Sequence, residues 1–120
     1  MSKVLLNEFG KRLIQNVRDR TILQWKKILS GQMKAEHWIQ TRSHLKNICN
    51  NAEELSDILV PEVAESMLFH LLQWFDEEEQ FRITAEIDDK KTANLAEESD
   101  GFAGELFTED GWISRFGKEQ

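Results

Sequence analysis

A chain of 120 residues with only six glycines and one proline is long enough to bury one core and too poor in breakers for long disordered linkers, so one domain over 1–120 is expected. Its net charge of −7 hides a split: residues 1–50 carry ten Lys/Arg against three Asp/Glu, a basic half of +7, whereas residues 51–120 carry five against nineteen, an acidic half of −14. The single cysteine, Cys49, excludes an intramolecular disulfide framework, and no run of about 18 apolar residues or signal-peptide pattern occurs, so a cytoplasmic protein without a membrane span is expected.

From the N-terminus, Leu6, Phe9, Leu13 and Val17, then Ile22, Trp25, Ile28 and Leu29, step by three or four residues. That period predicts one long helix over 2–29, or two helices meeting near Arg18-Asp19-Arg20, where Thr21 and Gln24 have the spacing of a capping box. Ser30-Gly31 ends it, glycine being suited to a left-handed cap. A further helix over 35–49 places Ala35, Trp38, Ile39, Leu45, Ile48 and Cys49 on one side and Gln40, Arg42, Ser43 and Lys46 on the other. Asn50, Asn51 and Glu54 offer a break and a new cap. Pro61 reads as the first-turn proline of a helix to Glu79, whose wide apolar surface (Val63, Ala64, Met67, Leu68, Leu71, Leu72, Trp74, Phe75) predicts the centre of a bundle. Residues 81–87 alternate apolar and polar, the period of a half-buried strand, with 93–96 as the available partner for a small hairpin or irregular arm. The tail from Gly101 to Gly117 carries Phe102, Leu106, Phe107, Trp112, Ile113 and Phe116, enough anchors for a folded flap. The expected fold is mainly α, four to five helices with a small β-hairpin or irregular C-terminal element.

Asp76-Glu77-Glu78-Glu79 is the most pointed local feature, because it lies at a predicted helix C-terminus, where carboxylates oppose the macrodipole by up to about 1 kcal/mol each. Pairing with the basic half, or solvation, should compensate it. The run is too continuous to act as an acid and a base converging on a substrate. Metal chemistry lacks a donor set: His37 and His44, like His70 and Glu77, are seven residues and about 10 Å apart along a helix. A calcium loop centred on Gly101 would need ligands at Ala96 and Phe107, which have none to offer. No nucleophile elbow or Gly-rich phosphate loop occurs, and Cys49 reads as a small buried apolar residue. No enzyme, metal or cofactor is expected.

Residues 21–48 can be drawn as helix, turn, helix, with Lys26, Lys27, Lys34, Gln40, Arg42 and Lys46 as a nucleic-acid surface. An isoelectric point near 5.0 and a 29–35 connection longer than a tight turn weigh against it. Of four tryptophans, Trp25, Trp38 and Trp74 fall on apolar helix faces, while Trp112 follows the acidic turn at Glu109-Asp110 and suits an interface anchor or a tail anchor. In size, acidity and lack of catalytic motifs the chain resembles small bacterial proteins that neutralise a partner, such as toxin-immunity proteins, a likeness of composition that rests on no motif. The expectation is a non-enzymatic protein-binding module whose surface for a basic partner is Asp76, Glu77, Glu78, Glu79, Glu109, Asp110 and Trp112. The alternatives are the nucleic-acid regulator, or a homodimer in which the charge split serves assembly.

Overall fold

The structure, a computed structural model, describes residues 2–89 and 91–119. α1 (Ser2–Leu13), a π-helical segment (Ile14–Asp19) and α2 (Arg20–Leu29) follow without interruption and make one N-terminal rod. The π segment has a cause in spacing. Phe9, Leu13, Val17, Thr21 and Trp25 all face the rest of the molecule, and they are four apart. On a regular α-helix each such step drifts about 40°, so the line would wind far around the rod. The wider i→i+5 turns take part of that drift back. The expected joint near 18–20 is therefore a change of pitch and not a break. Thr21 caps nothing: its Oγ1 donates back to the Val17 carbonyl at 2.7 Å.

The rod ends as expected. Gly31 sits at φ +83°, its N–H bonds the Ile28 carbonyl at 3.1 Å, and the Gln32 N–H bonds that of Lys27 at 2.9 Å, a Schellman closure. Arg42 Nε adds a bond to the Leu29 carbonyl at 3.0 Å.

α3 (Glu36–Asn47) turns Trp38, Thr41 and Leu45 inward. That line leaves Ile39 about 100° round the helix and 51% exposed, and Cys49, beyond the last turn, is exposed too. Both depart from the sequence expectation that placed them on the buried side.

α4 (Ala52–Glu77) starts at the Asn51 cap, whose side chain accepts the Glu54 N–H at 3.1 Å, so Pro61 lies inside the helix and not at its start. A proline there forfeits a bond to the carbonyl four residues back. Packing overrides the cost, because Leu55, Ile58 and Leu59 before it and Val63 after it all seat against Trp25, Ile28 and Leu45. α4 runs antiparallel to the rod, as the pairs Thr21 with His70 and Trp25 with Ser66 show.

β1 (Thr84–Asp88) and β2 (Lys91–Asn94) form an antiparallel hairpin in which Ala85 faces Ala93 and Glu86 faces Thr92, with a register shift before Asp88. Its base is half-buried, while Ile87 near the tip is 66% exposed. A 3-10 turn (Leu95–Glu98) leads to a second (Ala103–Glu105) and then to α5 (Trp112–Phe116). The tail is a docked flap: Phe102, Ala103 and Leu106 are buried with Leu72, Trp74, Phe75 and Val17.

The core is thus mainly α and has two apolar parts, one around Trp74 and Phe102, the other around Trp25, Ile28 and Leu45. Thr21, Ser66 and His70 are buried between them. The molecule is long, 55 × 34 × 26 Å, with a radius of gyration of 17.2 Å, where a compact chain of this length would have about 13.6 Å. Its accessible surface of 9140 Å² is about a third above the roughly 6,700 Å² that scaling gives for a 14.1 kDa monomer.

Candidate functional site

The acidic run divides into structural and exposed members. Asp76 reaches the tail, where its two carboxylate oxygens accept the N–H groups of Phe102 at 2.8 Å and Ala103 at 3.0 Å. Glu78 accepts from Arg12 Nη1 at 2.8 Å, from the Trp74 indole at 2.9 Å and from the Gln80 N–H at 3.1 Å. Burial opposes ionisation of Glu78, but these donors hold its carboxyl below the usual carboxylate range. Compensation from the basic half therefore exists, and Arg12 supplies it while also bonding Glu8 and Gln80 and lying 5.2 Å from the Phe81 ring centre. Glu77, Glu79, Glu109 and Asp110 are exposed. Trp112 is half-buried and meets Phe102 edge-on at 5.9 Å, as a tail anchor does.

The basic residues are less unified. Lys26, Lys27 and Lys46 are exposed, but Lys34 bonds the Gly31 carbonyl at 2.9 Å, Gln40 bonds Glu36, and half-buried Arg42 holds the rod's C-terminus. His37 stands 3.3 Å from Glu62. Among the described residues no group of three His, Cys, Asp or Glu could hold a metal ion, and no helix is long and apolar enough to cross a membrane.

His70 is 6% exposed, and its Nδ1 lies 2.9 Å from Thr21 Oγ1. Because the threonine hydroxyl already donates to Val17, it accepts here, which puts a proton on Nδ1. Burial, reinforced by Arg20, lowers the His70 pKa and favours the neutral ring with its proton on Nδ1.

The feature with no internal explanation is an apolar groove. Leu13, Ile14 and Val17 of the rod face Ala64, Met67, Leu68 and Leu71 of α4 across a depression of about 590 Å³ whose one charged lining residue is Arg18. The α4 wall is part of a stripe, Val60, Ala64, Met67, Leu68 and Leu71, at successive helical spacings. Val60 is 60% exposed, Met67 44% and Leu68 45%. So the wide apolar surface that the sequence assigns to a bundle centre is covered on one side alone. On the other side of α4 lies a second niche, of mixed polar and aromatic lining and about 480 Å³, that reaches Gln24 of α2, His37 and Trp38 of α3, and Phe107 of the tail.

No protein-family model matches this chain. Neither does any curated protein or any solved structure.

Neither depression was among the site residues expected from sequence. The groove left a signal, the surplus width of the α4 stripe. The niche left none, since its walls come from four segments that only folding brings together.

Proposed function

We propose that this chain is a non-enzymatic protein-binding module that works as a homodimer in the cytoplasm, with the apolar groove closed by a second copy. The uncovered groove is the observation that carries this reading, since an isolated monomer rarely leaves so continuous an apolar stripe in water. The surplus surface of the monomer, about 2,400 Å², exceeds the roughly 800 Å² per partner of a stable interface. Charge favours a second copy over an unrelated chain. The rod carries seven Lys/Arg against two Asp/Glu, and α4 carries seven Asp/Glu and no Lys or Arg.

Two antiparallel helices can face their copy about two kinds of twofold axis. An axis perpendicular to the helices sets rod on rod and acid on acid. An axis parallel to them sets each basic rod across from the partner's acidic α4, and the fields select that one. The exposed carboxylates Glu77, Glu79, Glu109 and Asp110 stay outward in this arrangement, as the surface for a basic partner. Exposed Cys49 suits a compartment that keeps thiols reduced.

Sedimentation equilibrium tests the proposal. The wild type should have twice 14.1 kDa at micromolar concentration, and Leu68→Glu should be a folded monomer, because a carboxylate cannot be buried in an apolar interface without a partner. In a Cys49→Ser background, mixed Arg18→Cys and Leu71→Cys chains, whose sites lie at nearly the same height on the two walls, should cross-link to each other faster than Arg18→Cys chains to themselves. A wild type that is monomeric at about 100 µM overturns the second copy as occupant. Faster Arg18→Cys self-linking overturns the axis.

A further inference from the structure

The niche on the far side of α4 is independent of the groove: Glu62, Glu65, Ser66 and Phe69 lie on a stripe roughly 200° round the helix from Ala64, Met67 and Leu71. Its chemistry is one-sided. Glu62 and Glu65 bring two carboxylates to its wall, and the Oε1 of Gln24 is buried without a hydrogen-bond partner. Ser66 Oγ is already engaged by the Trp25 indole N–H at 3.3 Å, and the His37 imidazole is turned to Glu62. What the niche offers an occupant is therefore acceptors.

The rest of the lining is aromatic. Trp38 is propped edge-on by Trp25 at 5.7 Å, and Phe69 meets Phe107, the exposed lip, at 6.0 Å. Ring faces beside carboxylates attract cations twice over, by Coulomb force and by the ring quadrupole. Burial, together with the neighbouring Glu62 charge, raises the Glu65 pKa, and His37 offsets this only in part. The volume, about 480 Å³, lies within the range of small-molecule sites and exceeds what one Lys or Arg side chain fills.

We propose that this niche binds a small organic cation, a primary amine or guanidinium on an apolar body, with Glu62 and Glu65 holding the charge and Trp38 and Phe69 flanking the body.

Titration calorimetry with phenethylamine and agmatine, alongside 2-phenylethanol, tests the assignment. At least one of the two amines should bind saturably at about one per chain. For phenethylamine the neutral analogue should be at least about tenfold weaker, a loss of one charged contact. Glu65→Gln should weaken amine binding about tenfold, while Glu53→Gln, outside the niche, leaves it unchanged. Glu65→Gln is nearly isosteric, so a fold intact by circular dichroism keeps the test valid. Equal affinity for the alcohol overturns the proposal, as does a Glu65→Gln protein that binds as the wild type does. Saturable binding of neither amine up to about 10 mM gives the niche to water and overturns it as well. Leu68→Glu should not alter amine affinity, so failure here and failure of the dimer are read separately.

Discussion

Removing the Asp76 carboxylate should detach the tail flap from the end of α4. Its two bonds, 2.8 Å to Phe102 N–H and 3.0 Å to Ala103 N–H, are hydrogen bonds to a charged group, each worth about 1.5–3 kcal/mol when well shielded. Asp76 itself is exposed, so roughly 1 kcal/mol apiece is the appropriate figure. Asp76→Ala should then cost about 2 kcal/mol, and with an unfolding entropy near 2.1 cal/mol/K per residue over 120 residues that lowers Tm by about 8 °C. Asp76→Asn keeps one acceptor oxygen and should lose about half as much. Glu77→Ala removes the same adverse charge from the helix terminus but no side-chain hydrogen bond or ion pair to the described residues, so it serves as the control and should stay within about 0.5 kcal/mol of wild type. The assay is thermal melting by circular dichroism at matched protein concentration, with limited proteolysis over 101–117 to show that the flap is what loosens. An Asp76→Ala Tm within about 2 °C of the wild type would refute the idea that this carboxylate pins the flap.

Pro61→Ala should restore the missing bond inside α4 and stabilise the protein by about 1–3 kcal/mol in urea unfolding, and no gain would mean that the proline's fit has been underrated. His70 has its pKa lowered in the fold, so the unfolded chain binds more protons than the native one. Its contribution is present in full above the ordinary histidine value of about 6.5 and is lost as pH falls from there toward the folded pKa. The stability gap between wild type and His70→Gln should therefore narrow between pH 7.5 and 5.5, and a gap that does not change with pH would contradict the buried neutral ring.

Local signals in the sequence were reliable where chemistry is local. Ser30-Gly31 closes a helix, Asn51 caps the next, and the alternation over 81–87 becomes a hairpin because each depends on a few adjacent residues. Pro61 misled for the opposite reason. Its intrinsic preference for a first turn is outweighed by Leu55, Ile58 and Leu59, whose contacts with Trp25 and Ile28 join parts of the chain some 30 residues apart. Cys49 misled because it falls just past the last turn of α3, where helical periodicity no longer assigns a face. For the site, the acidic run was conspicuous, yet Asp76 and Glu78 are engaged by the fold. The spacing of four that requires the π segment was visible from Phe9 to Trp25, but only knowing which line is buried gives it meaning.

The pitch change at Ile14–Asp19 also sets how far an assembly can grow. A heptad-patterned helix laid along α4 follows Val60, Ala64, Met67, Leu68 and Leu71 in phase, but the rod on the other wall keeps a different period through its π turns. No single helix can stay in register with both walls for many turns. Such vernier mismatch restricts close contact to a short stretch around Arg18 and Leu71, where the two walls are level, which favours a closed pair over an extending bundle or filament.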